Sequence, residues 1–530
     1  MYPYARKVAE STTPQTEALP GQIANSGGGY SYPVDDWTRL TRFLVLGSEG
    51  GSYYAEDRKL TRDNAAAVQR CIASDGERVV KTIVEISDAG RAPKNDPALF
   101  ALALCMKTGD DGTRRAAYAV LPKVARIGTH LFHLAAFVST LGGWGRGTKR
   151  AFGNWYLGKP EERLAYDAIK YQSRDGWAHR DVLRLAHVPR PEGVRNDIFN
   201  WIVNGWEGVG ETPHPDETLR KIWAFERAKT TTSRLALVKL IEEHGLPHEC
   251  VPNEAKSDPA VWAAMLPNMG ITALVRNLGK MTSVGLVAPM TSAGSLIMDR
   301  LTDFETLRNS RIHPLQLLVA LRTYTKGHGD KGSLSWKPVP AIIDALDQAF
   351  YLAFEAVEPT NKRHVLALDV SDSMTWQNCA GMPITPREAA SAMALVTANV
   401  ESNHHICAFA DTFIRTTIST RQRLDDVNRY VRSLEASYTD CAAPMVWAIM
   451  NKIPADVFVV YTDSETNAGG SPHAASALRT YRQKMGIAAK LVVCAMVSNN
   501  VTIADPNDGG MLDVTGFDTS TPALLADFAR

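Results

Sequence analysis

Apolar residues recur with two different spacings along this chain. From about residue 35 to about residue 345, segments of roughly 10–15 residues place apolar side chains at i, i+3 and i+4, and clusters of Gly, Pro or Asp separate them. Residues 97–106, 113–124 and 129–141 are three such segments. Almost no alternating pattern interrupts them, although no repeat of fixed period is visible. The sequence therefore predicts an α-solenoid, an array of stacked helix pairs.

The spacing changes near residue 361, where β-branched apolar runs begin to alternate with amphipathic segments. The predicted strands cover residues 364–369, 405–409, 457–462 and 491–496, with a short edge pair around 413–418. The predicted helices cover residues 386–400, 424–434, 443–450, 474–484 and about 523–528. Strands separated by helices predict a mostly parallel, doubly wound (Rossmann-like) α/β sheet.

The first 30 residues are polar and rich in Gly, Ser, Thr and Pro. Such a segment is expected to be a flexible tail or to be partly ordered by docking on the folded protein. The chain is thus divided into an N-terminal segment (1–30), a helical-repeat domain (31–360) and an α/β domain (361–530).

Composition is that of a globular protein, with 45% hydrophobic and 22% charged residues, and the formal net charge of +1 gives no global attraction to nucleic acid or membrane. The seven cysteines are scattered and form no C-x-x-C pair, so we expect buried thiols in a reducing compartment. The start of the chain lacks the apolar core of a signal peptide, and no run of about 18 apolar residues exists. We therefore expect a cytoplasmic protein without a membrane span.

Oxygen-bearing side chains follow two of the predicted strands and one loop. The candidate ligands are Asp369, Ser371, Ser373, Thr439 and Asp463. A hard cation such as Mg²⁺ prefers oxygen ligands and needs only one or two carboxylates. This is the pattern of a von Willebrand factor A domain with a metal-ion-dependent adhesion site, which favours binding over catalysis and leaves metal positions open to a partner's carboxylate.

Two alternatives remain for these residues. Asp369, Ser371 and Ser373 taken alone are equally well explained as caps of the following helix. Asp369 could also be a phosphoryl-accepting nucleophile, but Ser371 stands where such hydrolases usually have a second Asp. Ser371 itself lacks the Gly-x-Ser-x-Gly elbow of an esterase.

A second group of candidates lies between residues 144 and 190, where basic and aromatic residues are interleaved. The cations of interest are Arg146, Lys149, Arg150, Lys170, Arg174 and Arg180, with His187 closing the helical segment 180–187. Lys170 and Arg174 are i,i+4 and share a helix face if the helix extends that far. Basic residues with planar side chains are typical of single-stranded RNA binding. Composition alone, however, favours a solvated basic face over an aromatic core.

Several longer stretches resemble the Ro ribonucleoprotein autoantigen family, the TROVE-domain proteins, in a bacterial form. They are residues 39–44 (RLTRFL), 47–54 (GSEGGSYY), 277–281 (NLGKM), 454–458 (PADVF) and 502–506 (TIADP). The resemblance implies a ring of HEAT-like helical repeats closed by the A domain. It also implies binding of small Y RNAs on the outer basic surface and of single-stranded 3′ ends of misfolded or damaged RNAs in the central hole.

Specific residues carry further implications of this resemblance. Lys170, Arg174 and His187 match positions linked to Y RNA, and the five oxygen-bearing candidates match the family's metal site, for which Mg²⁺ is expected. Residues 436–438 depart from the family's Gly-Gly turn, so Tyr438 could partly cover the metal.

The expected function is a non-enzymatic RNA-binding scaffold in RNA quality control and stress survival. A 3′-to-5′ exoribonuclease is a plausible partner, whereas membrane and DNA are not expected partners. The alternative is a metal-dependent protein-interaction module without a primary RNA role.

Overall fold

The fold is described from a computed structural model. It describes residues 13–25, 28–47, 60, 65–92, 94–206, 212–310, 312, 314–329, 333–353, 359–376, 378, 384–434, 438–497, 501–515 and 528–529. Of the predicted elements, the final helix at 523–528 lies almost wholly outside this part of the chain, as do residues 436 and 437.

Helices follow one another through the first two thirds of the chain. They are α1 Asp36–Leu46, α2 Ala66–Asp88, α3 Asp96–Thr108, α4 Asp111–Val124, α5 Gly128–Thr140, α6 Arg146–Leu157, α7 Glu161–Lys170, α8 His179–Ala186, α9 Val194–Asn204, α10 Glu217–Thr230, α11 Arg234–His244, α12 Pro259–Met265, α13 Ile271–Ser283, α14 Ser292–Thr302, α15 Phe304–Ser310, α16 Pro314–Lys326 and α17 Pro340–Leu352. Each packs mainly on near neighbours in sequence, as expected for the predicted helical-repeat array.

Local sequence sets the helix boundaries. Asp35 caps α1 by accepting a hydrogen bond from the Thr38 amide at 2.7 Å, and Asp110 caps α4 through the Thr113 amide at 2.8 Å. The helix α3 is apolar on all sides, and it is buried on all sides because α1, α2, α4 and α5 surround it. The three helices predicted from apolar spacing are therefore confirmed, with boundaries shifted by at most about two residues, as usual for helix ends.

The last third of the chain forms the α/β domain, called the A domain below. Its strands are β5 His364–Asp369, β6 His404–Phe409, β7 Phe413–Arg415, β8 Val457–Thr462, β9 Lys490–Ala495 and β11 Met511–Thr515, in the order β11-β9-β8-β5-β6-β7. All neighbours are parallel except the antiparallel edge strand β7. Its helices are α18 Pro386–Val400, α19 Leu424–Arg432, α20 Ala443–Met450 and α21 Ala474–Met485. The predicted doubly wound sheet is confirmed.

The A domain contacts both ends of the helical array and closes it into a ring. At the first end, Arg42 of α1 is fully buried and binds both carboxylate oxygens of Asp513 in β11, at 2.7 and 2.9 Å. Strand β2 (Tyr30–Pro33) also pairs with β10 (Val501–Thr502). At the last end, Arg423 lies 3.3 Å from Asp344 of α17.

Residues 13–25 of the N-terminal segment dock on the A domain. This agrees with the expectation that the segment is partly ordered by docking. Strand β1 (Ile23–Ala24) pairs with β2, and Gln15 is fully buried against the A domain. In the described part of the chain, no helix has both the length and the hydropathy that crossing a membrane requires.

Candidate nucleic-acid interface and metal centre

Asp369 and Asp463 lie at the same edge of the A-domain sheet. Asp369 is the last residue of β5, and Asp463 directly follows β8, its parallel neighbour. The chain runs from β5 to β6 on one side and returns to β8 on the other, so this edge is the topological switch point where open α/β sheets bind ligands. Both carboxylates are fully buried.

Hydroxyl groups surround the Asp369 carboxylate. One oxygen accepts hydrogen bonds from the Ser371 amide at 2.9 Å and the Ser371 hydroxyl at 2.6 Å, and the other accepts one from the Thr462 hydroxyl at 2.6 Å. The Ser373 hydroxyl lies 3.2 Å from that of Ser371. The structure therefore brings Asp369, Ser371 and Ser373 together as the sequence predicted, and adds Thr462, which the prediction missed.

The carboxyl group of Asp369 has a raised pKa, and burial is the main cause. Burial raises the pKa of Asp369 to about 7, and the negative charge of Asp463 adds to the increase. A divalent cation would oppose both effects, so these donors fit a hard cation. Among the described residues no group of three or more His, Cys, Asp or Glu could hold a metal, so hydroxyl oxygens would have to complete the ligand set.

Thr439 is buried on a loop that packs against residues 465–467. Its amide donates to the Asn467 side chain at 2.9 Å, and its carbonyl accepts from the Thr466 hydroxyl at 3.2 Å. Next to it, Tyr438 is 61% exposed. The structure thus places Thr439 on the loop neighbouring Asp463, as predicted.

Asp440 and Gln15 form a buried polar contact that sequence reasoning missed. The Asp440 carboxylate accepts hydrogen bonds from the Gln15 amide group at 2.7 Å and from the Ser471 hydroxyl at 2.7 Å. The Gln15 carbonyl oxygen in turn accepts bonds from the Thr466 hydroxyl and the Ala468 amide. Burial raises the pKa of Asp440 to about 6, although these hydrogen bonds oppose the increase. The N-terminal segment therefore holds the loops that carry Thr439 and Asp463.

The basic residues form a second candidate site on the helical array, called the basic surface. Its members are Arg146, Lys149, Arg150, Lys170, Arg174, Arg180 and His187. Arg146, Lys149 and Arg150 lie at i, i+3 and i+4 in the first turns of α6 and share a face. Arg146 and Arg150 are exposed. Across the described ranges, none of these three has a carboxylate within ion-pair distance.

Lys170 and Arg174 would share a helix face only if the helix reached residue 174, and this condition is not met. The helix α7 ends at Lys170, because Tyr171 leaves the helical conformation with φ −107° and ψ 76°. Arg174 instead lies on a two-strand hairpin, β3 (Ser173–Arg174) and β4 (Trp177–Ala178). Asp175 and Gly176 form its turn with φ of 51° and 77°, as a tight hairpin requires.

Lys170 and Arg174 also differ in exposure. The Lys170 ammonium lies 5.4 Å from the Tyr166 ring centroid and 5.3 Å from that of Tyr171. Burial lowers the pKa of Lys170, but Tyr171, Glu249 and Tyr166 outweigh it and the net pKa is raised, so the ammonium stays charged. Arg174 is 60% exposed, with Asp175 at 3.9 Å. Lys170 is thus a half-buried cation, whereas Arg174 projects into solvent.

Helix α8 contributes the remaining members of the basic surface. Arg180 lies in its first turn, and His187 ends it in the left-handed conformation with φ 50°; both are exposed. The interleaved aromatic residues are mainly core, since Phe152, Trp155 and Tyr156 are fully buried. The alternative of an aromatic core beneath a basic face is therefore correct for these three rings.

Comparisons with known proteins agree across the whole chain. A family model described as the TROVE domain matches residues 23–247 and 243–323, and one described as the Ro60 vWA domain matches residues 363–529. The chain is 41% identical to the RNA-binding protein RO60 of Deinococcus radiodurans over 529 residues, covering 99% of this chain and 98% of that protein. It is 36% identical to the RNA-binding protein RO60 of Caenorhabditis elegans over 582 residues, covering 96% and 90%.

A solved structure gives the same result. The crystal structure of the Deinococcus radiodurans RO (RSR) protein matches with a TM-score of 0.73 at 41% identity, covering 94% of this chain and 99% of that one. The helical ring, the A domain and both family models thus occur together in one chain, which belongs to the Ro60 family of TROVE-domain proteins.

Proposed function

We propose that this protein is a non-enzymatic RNA-binding scaffold that holds a small structured RNA of the Y RNA class on its basic surface. The observation that carries the proposal is the set of exposed cations without carboxylate partners in α6 and α8, within the described ranges. Two of the curated relatives are RNA-binding proteins by name. Cations that are not engaged within the protein are available to phosphates.

Phosphate binding of this kind has a measurable signature. Each neutralised phosphate releases counterions, so the affinity falls with salt by a slope of about 0.7–0.9 per contact. Such contacts carry little sequence information, so recognition would depend mainly on RNA shape.

The proposal is tested by sequencing RNA that co-purifies with the tagged protein from its native cells. An Arg146→Ala/Arg150→Ala variant should lose a small structured RNA that the unmodified protein recovers, because both arginines are exposed in α6 and neither has a carboxylate within ion-pair distance among the described residues. Arg429→Gln is the matched control, because Arg429 is exposed on the A domain and already paired with Asp426 at 3.0 Å. Equal recovery of that RNA by all three proteins would contradict the assignment of the basic surface.

The cellular role follows from the same proposal. A ring closed by the A domain would take single-stranded 3′ ends of misfolded or damaged RNAs through its centre, while RNA on the basic surface limits access. A 3′-to-5′ exoribonuclease would then act on the held RNA, placing the protein in RNA quality control and stress survival. No catalytic step by this chain is part of the proposal.

A second candidate function is metal-dependent protein binding by the A domain. Asp369, Ser371, Ser373, Thr439 and Asp463 would hold the ion. Mg²⁺ bound there would supply a Lewis-acidic position for a partner's carboxylate. The observation in favour is that two buried carboxylates and several hydroxyls converge at the switch point of the sheet.

Metal binding is tested by isothermal titration calorimetry with Mg²⁺ on the full chain. Binding should be lost in Asp369→Asn and kept in Asp372→Asn, a neighbouring carboxylate that is 71% exposed. Equal heats from the two variants would contradict the assigned site.

A further inference from the structure

Three aromatic rings form a ladder from the core of the helical array to the basic surface. Phe152 at its foot is fully buried, whereas Trp144 and Trp177 are half-buried. Ring centroids lie 4.3 Å apart between Phe152 and Trp144, and 5.7 Å apart between Trp144 and Trp177. The two indole planes differ by only 21°, so the upper part of the ladder is an offset stack that ends at Trp177.

Each tryptophan of this stack has an arginine close to it along the backbone. In the hairpin register Trp177 is directly opposite Arg174, and residues that face each other across a strand pair project from the same side. Trp144 is followed, after Gly145, by Arg146 at the first position of α6. Trp177 is therefore paired with the exposed Arg174 across the hairpin, and Trp144 lies two residues before the exposed Arg146.

The backbone around the ladder is open. A Cβ atom added at Gly143, Gly145 or Gly176 would meet no heavy atom within 4 Å. These glycines flank Trp144 and Trp177 directly, so no side chain of the described residues fills the space beside their backbone.

The carboxylates of this region are already engaged. Asp175 lies 2.5 Å from the His133 ring nitrogen, which fixes the tip of the hairpin. Asp181 accepts a hydrogen bond from the Ala178 amide at 3.0 Å at the start of α8. Both carboxylates are therefore held by partners within the protein.

We propose that Trp177 is a stacking platform for one unpaired base of a bound RNA, with Arg174 and Arg146 binding the neighbouring phosphates. The inference rests on the proposed RNA binding and adds to it a ligand class, an unpaired purine. Every base has a π-face, but a purine offers the larger one, so the platform favours adenosine over uridine without reading base edges. Stacking on Trp177 would cause the preference for adenosine over uridine. Phosphate binding by Arg174 and Arg146 would cause the salt dependence.

The test separates these two contributions. Fluorescence anisotropy of the full chain is recorded at several NaCl concentrations with hairpin RNAs that share one stem and carry either an adenosine or a uridine loop. Trp177→Leu keeps apolar volume but removes the π-face, and it should weaken adenosine-loop binding about tenfold with an unchanged salt slope. Arg174→Gln should lower the salt slope by about one while keeping the adenosine preference. Trp376→Leu is the control, since Trp376 is 63% exposed on the A domain.

A measurement on the unmodified protein covers the case in which Trp177→Leu fails to fold. A hairpin RNA with 5-iodouridine in its loop is irradiated in the complex, and the crosslinked peptide is identified by mass spectrometry. The platform predicts a crosslink at Trp177.

The outcomes distinguish the two levels of the proposal. If Arg174→Gln weakens binding but Trp177→Leu folds and binds both loops like the unmodified protein, the platform is overturned and RNA binding by the basic surface stands. A crosslink confined to other residues has the same meaning. If the unmodified protein binds neither hairpin, the proposed function and the platform fall together.

Discussion

The basic surface and the A-domain cluster are built in opposite ways. Arg146, Arg150 and Arg174 are exposed and have few partners among the described residues, whereas Asp369 and Asp463 are buried within a dense set of hydrogen bonds. A site for a large, mobile polyanion needs charges that reach solvent. A site for a small hard cation needs oxygens that are fixed and desolvated. The difference in burial therefore matches the difference in proposed ligand, and it predicts different responses to mutation.

The largest expected effect tests the exposed site. Replacing Arg146, Lys149 and Arg150 together by Gln removes three candidate phosphate contacts and should lower the salt slope for a structured RNA by about 2–3. Affinity at physiological salt should fall roughly a hundredfold, while the melting temperature stays the same because none of the three is buried. Filter binding against NaCl concentration and calorimetry measure the two quantities. A large fall in melting temperature would show that these residues are structural instead.

Acid should weaken the helical array beneath the basic surface. Burial lowers the pKa of His179 to about 4, and the ring packs on Phe132 and Trp155 with Tyr156 hydrogen-bonded to it at 2.8 Å. The unfolded chain binds this proton below about pH 6.5, and the folded chain does not until about pH 4, so stability falls as pH falls through this window. As much as about 2 kcal/mol is lost between pH 6.5 and pH 5.

Hydrogen exchange of α5 to α8 between these two pH values measures the effect. His179→Gln is the comparison, since Gln does not titrate and the pH dependence of protection in these helices should become shallower. The remaining dependence is expected from His130 of α5, because burial also lowers the pKa of that imidazole, to about 3. A dependence that is equally steep in this variant would exclude His179 as its source.

The buried site should respond in stability and not in RNA affinity. Gln15→Ala removes a donor from buried Asp440 and an acceptor from Thr466 and Ala468, which should destabilise the protein by about 1–3 kcal/mol. Gln22→Ala in the same segment should cost less, because Gln22 is only partly buried. Denaturant unfolding of the two variants measures the difference. Equal unfolding midpoints would contradict the claim that Gln15 holds the loops that carry Thr439 and Asp463.

The smallest expected effect separates two cations that are four residues apart. Lys170→Gln should change the salt slope less than Arg174→Gln, because the Lys170 ammonium is partly covered by Tyr166 and Tyr171. It should instead cost about 0.5–1 kcal/mol of stability through the lost cation–π contacts. Salt titration of RNA binding together with calorimetry distinguishes the two variants, and equal slopes would show that both reach phosphate.

The contrast also explains what the sequence could predict. Strand ends in a parallel sheet meet at one edge whatever the loops do, so the placement of Asp369 and Asp463 followed from the strand pattern alone. Whether Lys170 and Arg174 share a face depended on where α7 ends. Tyr171 ends the helix, and the turn at Asp175 and Gly176 places Arg174 on a hairpin. Helix boundaries are the least certain part of any pattern-based prediction.

Contacts distant in sequence were beyond prediction for a different reason. Gln15 and Asp440 are separated by more than 400 residues, and a single Gln in a polar segment gives no sign that it is buried. The same holds for Arg42 and Asp513, which close the ring. Only the assembled fold shows that such polar side chains have partners.

The most direct test compares the RNA that co-purifies from native cells with variants altered at the basic surface or at the A-domain cluster. RNA is sequenced after purification of the unmodified protein, the Arg146→Gln/Lys149→Gln/Arg150→Gln variant and the Asp369→Asn variant. A small structured RNA is expected with the unmodified and Asp369→Asn proteins, and it should be lost from the triple variant. Equal recovery from the triple variant, or no enriched RNA with the unmodified protein, would contradict the claim that the exposed cations hold RNA.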